Sequence, residues 1–197
     1  GIPLMRGREA HAHDEDGPDL QNDKGPRAGG NPHVWLDPEN AQVMIRHISE
    51  GLGRADPERR KVYRANQAAY LKQLDELQRT IVQQFKPVSN RKIITHHPAW
   101  PYFARRFDLQ IRGDIFTQIG SEPSAKRMAG LIRTIRRERI RVIVSEPQLS
   151  PKIPQALAQE TGATVVVLTP LPGALSGTDD YLSMMRYNAA TLIEALR

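Results

Sequence analysis

Cysteine is absent from all 197 residues, which excludes disulfides and thiolate metal sites alike. Aromatic residues make up only 6% of the chain, and none falls in its most basic stretch, so stacking platforms for nucleobases are missing there. No apolar run approaches the ~20 residues of a membrane-spanning helix. No G-x-G-x-x-G or G-x-x-x-x-G-K-[ST] follows any strand-like run, which removes motif support for nucleotide binding. The H-E-x-x-H pattern of zinc hydrolases is missing too. The chain opens at Gly1 with no charged n-region and apolar h-region, so a secretory leader is expected to have been removed already.

Positive charge, by contrast, is plentiful: the net balance is +6. It is densest in "IRTIRRERIRVIV", where arginines alternate with isoleucines at helical spacing and then run into a strand. That pattern predicts a solvated helix face, and no nucleic-acid partner is expected.

Residues 1–30 are rich in Gly, Asp, Pro and His with little apolar periodicity, and predict a mobile loop. The loop carries His11 and His13 beside Asp14, Glu15 and Asp16, a composition open to weak metal capture or to plain solvation. In "NPHVWLDPEN", Asp37 and Pro38 start a helix, the aspartate capping free N–H groups where proline needs none. A second start, "ADPERR", predicts a long helix from Pro57 to about Phe85, with Tyr70, Leu74, Leu77, Ile81 and Phe85 on one stripe.

Beyond "KPVSN" the character changes. Four β-rich runs, "KIIT", "LQIRGDI", "RVIVS" and "TVVVL", alternate with helical patterns, and a last helix covers about Asp180 to Leu196. Such alternation predicts an α/β fold with a parallel four-stranded sheet flanked by helices. Ligands in such folds bind beyond the carboxyl ends of the strands.

That rule singles out "THHPAW", where His96 and His97 leave the first strand. His33 stands in "NPHVWLDP", where capping does not require a histidine. Asp179 and Asp180 precede the last helix and suit either a cap or a ligand. A mixed set of histidines and carboxylates fits zinc or a similar divalent ion. Glu146, at the end of the third strand, is expected to end that strand in water rather than to face a site.

In order, the acidic His-bearing loop, "NPHVWLDPEN", the long helix, "THHPAWPYFARRF" and "DDYLSMMRYN" resemble the ZnuA/TroA-like receptors of zinc and manganese ABC importers. The resemblance implies a Rossmann-like C-terminal lobe, a long backbone helix and the remnant of an N-terminal lobe, whose larger part this chain would lack. It divides the chain into a loop (1–30), the end of the first lobe (31–56), the interlobe helix (57–86) and the C-terminal lobe (87–197). Carried over motif by motif, the metal ligands are His33, His97 and Asp179, with Asp180 as the alternative to Asp179. The family's further first-lobe histidine has no counterpart, and Pro101 replaces its usual glycine, stiffening that loop.

Manganese receptors of this family place a carboxylate where His97 stands, so the resemblance favours Zn(II) as transported ligand over Mn(II) or iron. It implies a monomeric, periplasmic or otherwise extracytoplasmic receptor whose partners are the metal ion and a membrane permease. A metal-dependent hydrolase using the same side chains is the rival reading, and it lacks a catalytic motif.

Overall fold

The computed structural model describes residues 1–5, 30–117 and 122–197. The histidines of the acidic loop, His11 and His13, lie outside the described residues. The four β-rich runs form β1 (Lys92–Thr95), β2 (Gln110–Asp114), β3 (Val142–Ser145) and β4 (Thr164–Val167). All pair in parallel, in the order β2-β1-β3-β4. From β1 the chain crosses to β2 on one side and then to β3 on the other. The winding therefore reverses between β1 and β3, and the carboxyl ends of those strands are where such folds place a ligand crevice.

Alternation along the strands feeds two cores. Ile93, Ile111, Val142, Val144 and Val166 join the helices α2 (Arg60–Phe85), α3 (Pro101–Phe107) and α6 (Tyr181–Leu196) through Leu77, Ile81, Phe103, Met184 and Leu192. On the other face Ile94 and Ile143 meet Leu131 and Ile135 of α4 (Ala125–Glu138) and Leu157 of α5 (Lys152–Thr161). A parallel sheet covered on both faces needs both sets of apolar residues.

The first helix, α1 (Pro38–Ala55), starts as expected: Asp37 accepts the Glu39 N–H at 3.0 Å and Pro38 takes the first position. The second start signal behaves differently. Asp56 accepts the Arg59 N–H at 3.3 Å in a turn, and α2 begins only at Arg60. The elbow explains the delay, because Tyr63 donates to Asp56 at 2.9 Å and Arg60 reaches back to the Gly53 carbonyl at 3.2 Å. The 26 residues of α2 span roughly 39 Å at ~1.5 Å each. Full burial on it starts at Leu74, with Tyr70 and Leu71 half-buried against the core just before it.

Much of the basic charge is paired. Glu138 takes Arg112 at 2.6 Å, Arg137 at 3.3 Å and Lys92 at 3.4 Å, and Arg136 lies 3.7 Å from Glu160.

Candidate metal centre

His33 sits just before a single 3-10 turn (Val34–Leu36), and five hydrogen bonds hold the segment 31–36 in place. Trp35 donates to the Pro170 carbonyl at 2.8 Å, and Tyr181 donates to the Trp35 carbonyl at 2.7 Å. Asn40 donates to the Val34 carbonyl at 3.0 Å, and Tyr102 to that of Asn31 at 2.9 Å. The fifth bond runs from Asn31 Nδ2 to the Pro98 carbonyl at 2.6 Å, tying this segment to the loop that carries His97. Because Nδ2 donates there, Asn31 Oδ1 is the acceptor for His33, taking its backbone N–H at 3.0 Å and Nδ1–H at 2.9 Å. The lone pair of His33 is then on Nε2.

His97 leaves β1 at the point where the winding reverses. Its Nδ1 lies 2.6 Å from Glu146 Oε1, at the carboxyl end of β3, and Glu146 is 1% exposed. The expectation that Glu146 ends its strand in water is therefore wrong. The neighbouring strand brings His97 across it, Trp100 donates to Oε1 at 3.2 Å and Gln148 to Oε2 at 2.7 Å. Those donors compensate the burial of the carboxylate. With Oε1 accepting at Nδ1, the free lone pair of His97 is also on Nε2.

His96 points the other way. It is fully buried, stacks on Phe116 with ring centroids 5.2 Å apart, and its Nδ1 lies 3.5 Å from Ser145 Oγ. The adjacent histidines, in the bend after β1, thus divide, one into packing and one toward the crevice.

The structure brings His33 and His97 together, with ring centroids 5.2 Å apart and planes at 74°. Two imidazoles with each Nδ1 hydrogen-bonded and each Nε2 unengaged by the described residues suit a shared divalent ion. Asp179 is exposed in the loop before α6. Among the described residues no three His, Asp or Glu side chains are gathered closely enough to hold an ion. Asp180 is committed elsewhere: it caps α6, taking the Ser183 N–H at 2.7 Å while the Ser183 hydroxyl accepts its own N–H at 3.0 Å. Those bonds hold its carboxyl below the usual range. Thr178, fully buried, anchors the loop through its hydroxyl on the Leu175 carbonyl at 2.7 Å.

Burial lowers the pKa of His33, and the nearby His97 adds to the effect against an opposing pull from Glu146. Burial lowers that of His96 as well. Both are neutral in the fold at pH 7, ready for ligation in the case of His33. A folded pKa below the unfolded value makes stability complete above about 6.5 and removes it as pH falls through the lowered values. The melting temperature of the metal-free chain is expected to hold from about pH 8 to about pH 7 and to fall by about pH 5. A flat thermal-unfolding profile across that interval would contradict the placement of these two rings.

Comparison with known proteins identifies the family. Residues 1–195 match the family described as ZnuA, zinc-uptake complex component A, periplasmic. The high-affinity zinc uptake system protein ZnuA of Brucella abortus is 34% identical over 165 residues, covering 83% of this chain and 49% of that protein. The zinc-binding protein AdcA of Streptococcus pyogenes serotype M3 is 32% identical over 193 residues, covering 92% of this chain and 37% of that protein. The chain thus spans about half the length, or less, of these curated relatives. A crystal structure of ZnuA superposes with a TM-score of 0.77 at 34% identity, covering 85% of this chain and 63% of that one. A ZnuA deletion mutant with zinc bound superposes with a TM-score of 0.79 at 32% identity, covering 99% and 66%. The α/β lobe with its parallel sheet is shared with them.

Proposed function

Since the chain belongs to the ZnuA family of zinc-uptake components, we propose that it is an extracytoplasmic receptor that takes up a zinc ion and passes it to the membrane permease of an ABC importer. The observation that carries this reading is the His33–His97 pair, whose Nδ1 atoms are both held by oxygen acceptors and whose Nε2 atoms are both available. Neutral nitrogen donors favour Zn(II) over Mn(II), which prefers oxygen. Relatives named for zinc uptake and zinc binding support the same choice.

Asp179 is the third ligand in this reading. It is exposed, its neighbour Asp180 is occupied by the helix cap, and the buried Thr178 holds the loop behind it. Two imidazoles and a carboxylate leave one position of a tetrahedral ion for water or a further donor. Residues 31–56 act as the end of a first lobe, 57–86 as the helix between lobes, and 87–197 as the second lobe, with the ion between the lobes and their closure limited by α2. The segment carrying His11 and His13 senses or delivers metal, and the working receptor is a monomer.

A zinc titration against a chelating dye tests the reading. One ion per chain is expected, with Asp179→Ala weakening binding on the order of 100-fold and Asp180→Ala costing helix stability but little affinity. No saturable zinc binding, or equal losses in both variants, would count against it.

A further inference from the structure

Glu146 belongs to neither the ligand set nor the expected surface, yet it is a nearly fully buried carboxylate at the carboxyl end of β3. Three side chains converge on it: His97 Nδ1 at 2.6 Å, Trp100 Nε1 at 3.2 Å and Gln148 Nε2 at 2.7 Å. The tryptophan donor comes from the His97 loop itself and the glutamine from the turn after β3, so the carboxylate is fixed from both strands that flank the winding reversal. A free histidine side chain prefers its proton on Nε2, the nitrogen that would have to bind a metal here. An acceptor fixed at Nδ1 reverses that preference and sets the ring plane at the same time.

We propose that Glu146 is a positioning residue for His97: it holds the proton on Nδ1 and so presents Nε2 to the ion beside His33. This rests on the receptor reading, and it adds a residue that touches no metal. Asn31 does the equivalent for His33 with a neutral amide. The two ligands are therefore oriented by different chemistry, and only His97 has an anion behind it.

The test compares wild type with Glu146→Leu and Glu146→Gln, in the full chain, by 15N NMR of the histidine rings without metal and by zinc titration. Measurements are made at about pH 8, above the ordinary imidazole range. In wild type the His97 signals are expected to be those of the Nδ1–H tautomer. In Glu146→Leu they should move toward Nε2–H while those of His33 stay, and zinc affinity should fall about 10–100-fold. A folded Glu146→Leu that keeps the Nδ1–H tautomer, or binds zinc like wild type, overturns the proposal.

Glu146→Gln covers the case in which the leucine variant does not fold. Its amide oxygen can still accept from both His97 and Trp100, and Gln148 can turn its own amide to match. The tautomer should therefore persist with a smaller loss of affinity. A tautomer retained with affinity as low as that of His97→Ala would mean that charge, not positioning, is what matters. Failure of wild type to bind zinc would refute the receptor reading instead, since the tautomer comparison needs no metal.

Discussion

Replacing His97 by alanine should reduce zinc affinity by on the order of 100-fold, with the fold retained. The size follows from dividing the ~10–16 kcal/mol of a four-ligand zinc site among its ligands, roughly 3 kcal/mol each, or about two decades in Kd. His97 is a ligand with a buried partner, so truncation has a second consequence. Glu146 keeps Trp100 and Gln148 as donors but loses its shortest contact, and its remaining charge stays almost wholly buried. The apo protein should therefore be less stable as well. His33→Ala should cost similar affinity and less stability, because His33 is only half-buried and Asn31 keeps its bond to Pro98. His47, exposed on α1 beside Glu50, is the control, and its alanine variant should bind like wild type. A competitive titration reads all of these. Equal affinities for wild type and His97→Ala would remove the site from the crevice altogether.

Several of these parts could be read before folding, and the division has physical causes. The sheet was legible because β1, β3 and β4 are short β-branched runs closed by polar residues, with helical periods between them. His97 was legible as a strand-end residue, because a parallel sheet directs ligands there. Its orientation was not. Which of two adjacent histidines faces the crevice depends on what packs behind each: Phe116 and Ser145 behind His96, Glu146 behind His97.

Glu146 escaped for a related reason. Nothing in "SEPQ" separates a buried carboxylate from a solvated one, and its partner is 49 positions away. Only the strand order, which places β3 beside β1, brings them together. A signal did exist, since an acidic residue closing one strand and a histidine closing another belong to one crevice if those strands flank the reversal. Local chemistry alone also misplaced the start of α2. Asp56 and Pro57 form a sound cap signal, but Tyr63 and Arg60 draw the chain into an elbow against α1 first.

The same limit applies to Asp37, whose capping role was legible and whose larger role was not, and it leads to the second strong expectation: Asp37→Ala should destabilise the protein by about 4 kcal/mol. Its side chain is fully buried, accepts the Glu39 N–H at 3.0 Å, and receives Arg106 Nε at 2.7 Å and Nη2 at 3.0 Å in a two-pronged pair. Arg105 adds a longer contact at 3.4 Å. The cap contributes ~1 kcal/mol and the broken, largely buried ion pair the rest. Glu39 also holds Arg106, at 2.6 Å, but from the exposed side, so it compensates only in part.

This clamp joins the start of α1 to α3, the helices that follow the His33 and His97 segments. Loosening it should widen the ligand pair, so zinc affinity should fall even though no ligand is touched. Asp37→Asn keeps an oxygen for the cap and one prong for Arg106, and should lie between wild type and alanine on both scales. Chemical denaturation and the zinc titration, run on the same three proteins, read the two effects. A cost below about 1 kcal/mol in Asp37→Ala would show that the pair with Arg106 contributes nothing net. A normal zinc affinity in a destabilised Asp37→Ala would show that the Asn31–Pro98 and Tyr102–Asn31 bonds keep the two histidines in register without the clamp.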